Sequence, residues 1–208
     1  MSQPMDRCCT IEAKGEVNEA AGEFWTENPF QMLNSGENLS AYERNRMFLN
    51  SGEDQFFEIS HGSNTDIDSD SRGVIGADFD RDGDEDLLVI NAGGGPLKLF
   101  MNEIPQQNRL KIRLKSESSG NRSGIGAKVV ATIGEKRVHR DCFASDGFAG
   151  QSPPEILIGM GDAAKVDVLT ITWPNGKVSE LRDLDGNAQL LISDSGDVTR
   201  TEFRSVTP

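Results

Sequence analysis

Apolar residues along this chain fall in short runs broken by Gly-, Asn- and Asp-rich turns, a pattern that predicts strands. Two such runs, around Met47-Phe48-Leu49 and Phe56-Phe57, flank a Ser-Gly-Glu-Asp turn and predict a hairpin. Gly73–Ala77 leads into an acidic loop and Leu87–Ile90 leads out of it, both as buried strands. Asn91–Pro96 reads as a turn and Leu97–Asn102 as a further strand. Beyond residue 108, Leu110, Ile112 and Leu114 alternate with Arg109, Lys111, Arg113 and Lys115, which predicts a half-buried strand with one basic face. Further strands are predicted at Ala127–Ile133, Lys136–Phe143, Glu155–Ile158, Val166–Trp173, Lys177–Leu181 and Gln189–Ile192. An Asn-Gly turn sits in Trp173-Pro174-Asn175-Gly176-Lys177. Regular short strands with Gly-rich turns predict a small antiparallel β-sandwich, followed from about Ser193 by a loose tail.

Ahead of the hairpin, residues 1–45 read as an extension. Glu16–Phe24 is rich in Ala and Glu and predicts one short helix, which Asn28-Pro29 stops. Phe24, Trp25, Phe30 and Leu33 are expected to pack on whatever follows them in the chain. The chain thus divides into an extension (1–45), a β unit with the Asp-rich loop (46–107), a β-sandwich (108–193) and a tail (194–208). Met47-Phe48-Leu49-Asn50 is echoed by Leu99-Phe100-Met101-Asn102, with Phe48 and Phe100 separated by 100 − 48 = 52 positions. A period near 50 is in the range of propeller blades. A closed ring needs at least about four blades, so the first β unit is read as an incomplete, propeller-like one with an open β edge available for self-association.

Composition narrows the function classes. The chain has 34 Asp+Glu against 21 Lys+Arg, a net charge of −13, which argues against general nucleic-acid binding and against docking on anionic lipid. No stretch approaches the roughly 20 apolar residues of a membrane span, and no secretory h-region is visible at the start. Residues 109–140 run against the trend, with nine Lys/Arg and two Glu, a local +7. That stripe is either a solvated strand face or a contact for an anionic partner. Cys8, Cys9 and Cys142 read as ordinary thiols, one of the first two bridging to Cys142 being the alternative. His61 and His139 are isolated, which argues against zinc.

The chemistry concentrates in Asp78-Phe79-Asp80-Arg81-Asp82-Gly83-Asp84-Glu85-Asp86, where six of nine residues are acidic. Carboxylates so crowded repel unless a cation neutralises them, and Ca²⁺ takes six to eight oxygen ligands. Loop positions 1, 3 and 5 are Asp78, Asp80 and Asp82. Gly83 supplies a sharp turn at position 6, Asp84 offers a backbone carbonyl, and Asp86 closes the site. The loop is not an EF-hand, because position 12 is Val89 and the flanks are strands. Glu85 is expected to face water. A second cluster, Asp66, Asp68 and Asp70, lacks the glycine and reads as a solvated turn, with Arg72 pairing one carboxylate, the alternatives being a further ligand to the first loop or a second, weaker site.

On Gly76–Leu87, the segment Arg46–Asn102 resembles the FG-GAP repeat, also called VCBS, of integrin-type β-propellers. The resemblance implies Ca²⁺ bound by Asp78, Asp80, Asp82, Asp84 and Asp86. About Leu110 to Ile192 resembles the ASPIC/UnbV domain through Asn121–Ala127, Gly159-Met160-Gly161-Asp162 and Trp173–Lys177. That domain commonly follows FG-GAP repeats in proteins similar to cartilage acidic protein. The family implies a secreted or cell-surface location, a protein or glycan ligand, and binding rather than catalysis.

No catalytic or cofactor-binding residues are assigned. Ser145-Asp146-Gly147 and the two histidines form no elbow or triad, and no Gly-x-Gly-x-x-Gly leads from a strand into a helix. The leading expectation is a calcium-binding, adhesion-like interaction module. The rivals are an enzyme or biosynthetic accessory protein that binds an anionic substrate between the two β units through Arg109, Lys111 and Arg113, and a C-terminal piece of a larger propeller protein.

Overall fold

The computed structural model describes residues 44–52, 55–67, 71–91, 96–105, 107–144, 147 and 150–204. The helix expected at Glu16–Phe24, the residues Cys8, Cys9, Asp68 and Asp70, and the centre of the Asn91–Pro96 turn lie outside them. The described residues are mainly β, with no α-helix among them, and none forms a helix long and apolar enough to cross a membrane.

They form two compact units. The first takes the described residues up to Gly73 together with Val89–Phe100, and the second takes Val74–Leu88 and those from Met101 onward. In the first, β1 (Phe48–Asn50) and β2 (Phe56–Glu58) pair antiparallel with Leu49 opposite Phe57, as the flanking turn residues predict. Asp66 of the weaker acidic cluster is held by Arg44, whose Nε donates to it at 2.6 Å. The three-stranded sheet β3 (Ser71–Ala77), β4 (Asp86–Asn91) and β5 (Lys98–Phe100), in that order, is not confined to the first unit, since Val74–Ala77 and Asp86–Leu88 belong to the second.

The second unit is a sandwich of two four-stranded sheets. One runs β11-β10-β7-β8 and the other β13-β12-β6-β9. Their strands are β6 (Asn108–Lys115), β7 (Lys128–Ile133), β8 (Lys136–Asp141), β9 (Glu155–Gly161), β10 (Lys165–Thr172), β11 (Val178–Asp185), β12 (Ala188–Ser193) and β13 (Val198–Glu202). The inward residues of both sheets share one core: Leu110, Ile112 and Leu114 of β6 pack with Val129, Ile158, Leu169, Ile171 and Ile192. This is the two-residue alternation read from the sequence, with one face of each strand removed from water.

The structure corrects three expectations. The sandwich is not wholly antiparallel, because β12 pairs parallel to β6, with Ile192 opposite Leu114. A parallel neighbour is reached through a long crossover, which no local pattern announces. The chain after Ser193 is not loose: β13 pairs antiparallel with β12. Asp194 is buried beside it, and its carboxylate accepts from the Ser116 hydroxyl at 2.6 Å and the Glu117 N–H at 2.9 Å. Lastly, the basic face of β6 is not solvated throughout, since Lys111 is 1% exposed.

The glycine- and asparagine-rich segments act as architecture. Asn121 accepts the Ile125 N–H and donates to the Ile125 carbonyl, closing a loop. Gly124 within it has φ +64, and a Cβ there would meet Leu114 Cβ at 2.9 Å. In the second segment the Trp173 N–H donates to the Lys177 carbonyl, and the indole donates to Ser179 Oγ. Cys142 is a buried free thiol that burial pushes up from its ordinary pKa.

Candidate metal centre

The acidic loop joins the end of β3 to the start of β4, within the same compact unit as the sandwich. It folds by carboxylates accepting from N–H groups a few residues on, the local habit of Asp in turns. Asp80 Oδ1 accepts from the Asp82 N–H at 3.2 Å, Asp82 Oδ1 from the Asp84 N–H at 3.0 Å, and Asp78 Oδ2 from the Gly83 N–H at 3.1 Å. Asp86 is buried at the mouth of β4, with one oxygen accepting from the Phe79 N–H and the other from the Asn102 N–H, both at 2.8 Å. Arg81 at φ 69 and Gly83 at φ 99 carry the left-handed backbone that curls the loop.

This curl brings carboxylate oxygens of Asp78, Asp80 and Asp86 within 4.8 Å of one another. Asp82 and Asp84 stand outside that trio. Asp84 is buried, and its carboxyl is pushed up to about 7, first by burial and then by the adjacent Asp82 charge. Glu85 is exposed, as expected.

Several residues that face the loop carried no sequence signal for it. Lys111, projecting from β6, donates from Nζ to Asp78 Oδ2 at 2.6 Å and stands 3.9 Å from Glu155. Arg109 donates from Nη2 to the Asp82 carbonyl at 2.6 Å and lies 5.3 Å from the centroid of the Phe203 ring. The Arg204 N–H donates to the Arg81 carbonyl at 2.8 Å. Arg113 pairs with Glu155 at 3.3 Å. Two of the three cations expected to offer themselves to an anionic substrate are therefore turned onto the acidic loop, and the third is paired with Glu155.

The donor set is all oxygen, which suits a hard divalent cation and not a soft one. Two carboxylate oxygens, Asp78 Oδ1 and Asp84 Oδ1, are buried and accept no hydrogen bond. A buried acceptor without a donor is costly, and a cation held by Asp78 removes that cost at its Oδ1. The residues therefore fit a calcium ion. Asp78, Asp80 and Asp86 are the side chains placed to hold one, and it would supply charge neutralisation, with no redox chemistry.

Residues 117–199 match the family model described as ASPIC and UnbV. The resemblance read from the sequence holds for that stretch. The ASPIC/UnbV segment begins after β6, so the strand that carries Arg109 and Lys111 lies ahead of the match while forming the middle of its sheet. No curated protein matches the chain. Among solved structures, a Bacteroides uniformis protein provisionally assigned to cell adhesion is 14% identical, with a TM-score of 0.26 over 65% of this chain and 66% of that one. A likeness so remote carries no argument about fold or function.

Proposed function

We propose that this chain is a calcium-stabilised, adhesion-like interaction module in which the loop Asp78–Asp86 holds one Ca²⁺. The observation that carries the reading is the buried, unpartnered Oδ1 of Asp78 in a loop where three carboxylates converge. Asp78, Asp80 and Asp86 hold the ion by their carboxylates, while Asp82 and the backbone at Asp84 complete the oxygen shell. The ion acts as a staple: it cancels repulsion between carboxylates and fixes the connection from β3 to β4.

The hairpin and the three-stranded sheet are, in this reading, an FG-GAP-like and propeller-like unit preceding the ASPIC/UnbV segment. The partner is a protein or glycan at the cell surface or outside the cell, in keeping with the resemblance. Phe48 at 57% and Phe56 at 64% exposure are apolar side chains of the hairpin on which a second copy or a further repeat would pack.

Calorimetry with CaCl₂, alongside melting in calcium and in chelator, tests the reading. Heat of binding and a higher Tm in calcium are expected, both absent in Asp80→Ala. A wild-type chain with neither heat nor a Tm shift overturns it.

A further inference from the structure

Lys111 is the one lysine among the fully buried side chains of the described residues, and its ammonium touches a proposed calcium ligand. Its place follows from the strand it sits on. Leu110, Ile112 and Leu114 fill the core on one face of β6, so Lys111 must project from the other. There the acidic loop covers it. Its side chain is 2% exposed and that of Asp78 is 8% exposed, so the pair is shielded from water and from salt. Glu155 at 3.9 Å is the other anion within reach of the ammonium.

Resting on the calcium reading above, we infer that the Lys111 ammonium is the built-in counter-ion of the acidic loop and sets its affinity for divalent cations by competing for Asp78. Without metal, the ammonium neutralises one carboxylate of the trio and lets the loop keep its curl. When a divalent ion enters, the ammonium becomes a like charge in contact with one of the ion's ligands. Binding must therefore displace it, leaving Glu155 to receive it, or tolerate the repulsion. Either course lowers affinity. A fixed positive charge this close costs a divalent ion a factor of at least about ten even when well screened. Lys111 thus shifts the loop toward high calcium concentrations and keeps its fold when calcium is scarce.

The test is a CaCl₂ titration of the wild-type chain and of Lys111→Met by calorimetry, with the lysine Cε–Hε resonances of the wild type followed by NMR through the same titration. Lys111→Met is expected to bind calcium at least about tenfold more tightly and to melt lower than wild type in chelator. The Lys111 resonance is expected to move in step with calcium occupancy. The inference is overturned if Lys111→Met binds calcium no more tightly, or if the Lys111 resonance stays in place while the wild type binds. Breaking a buried ion pair by removing one partner is destabilising. Should Lys111→Met not fold, the resonance decides alone. A wild-type chain that takes up no calcium removes the calcium reading and this inference with it, and that failure shows in the wild-type arm alone.

Discussion

The Phe203 ring lies so close against Gly83 that a Cβ on that glycine would sit 2.5 Å from two ring carbons. The residue after β13 thereby presses on the tightest point of the acidic loop, where φ is +99. Gly83→Ala combines a backbone conformation that L-residues rarely adopt with an aromatic ring in the way. A loss of about 1–3 kcal/mol is expected in urea unfolding. Adding Phe203→Ala relieves the clash and not the backbone strain, so the double variant recovers only part of the loss relative to Phe203→Ala alone.

Asp80 and Asp86 separate metal binding from loop folding. Asp80 accepts one N–H within its own turn, whereas both oxygens of Asp86 accept backbone N–H groups, one of them from Asn102 beyond β5. Asp80→Asn is expected to abolish the heat of calcium binding with little change in stability in chelator. Asp86→Ala leaves two backbone donors without their acceptor and lowers stability by about 1–3 kcal/mol even in chelator. Paired calorimetry and urea unfolding check both.

Asp84 gives the loop an unusual pH response. Its folded pKa of about 7 lies above the ordinary value of 3.8, so the folded chain binds the proton more tightly than the unfolded one. Without metal, this group's stabilising contribution is full below pH 3.8 and is lost as pH rises toward and through about 7. Asp84→Asn removes that slope. A bound Ca²⁺ favours the ionised carboxyl, so calcium affinity is expected to rise over the same interval. Unfolding series in chelator and calcium titrations, each across pH, check the two signs.

Asp194 acts in the opposite sense. The Ser116 and Ser118 hydroxyls and the Glu117 N–H hold its carboxyl well below the ordinary value. Its contribution is present above the unfolded value of about 3.8 and is lost as pH falls below it. The Lys177 ammonium also donates to the Asp194 carbonyl, so this corner ties the end of β12 both to the segment after β6 and to the Trp173–Lys177 turn. Asp194→Ala is expected to lower the Tm and to flatten the acid limb of the stability curve, read by circular dichroism below pH 4.

Much of this protein is local and was legible along the chain. Alternation placed β6, and the Leu110, Ile112 and Leu114 face proved to be the core, because a pleat sends successive side chains to opposite sides whatever the neighbours are. Turn chemistry placed the β1–β2 hairpin, and the Asp and Gly spacing marked the acidic loop, because Asp carboxylates and glycine backbones act within a few residues of themselves. The tertiary structure alone decided which neighbours those faces meet. Lys111 reads as one more outward residue of a basic strand until the loop 33 positions earlier covers it. Asp194 reads as the start of a tail until Ser116, 78 positions back, donates to it. The parallel pairing of β12 with β6 is equally silent. The physical reason is one of range: periodicity and turn preference are short-range properties of backbone and side chain, whereas the burial of a charge depends on which distant segment excludes water from it.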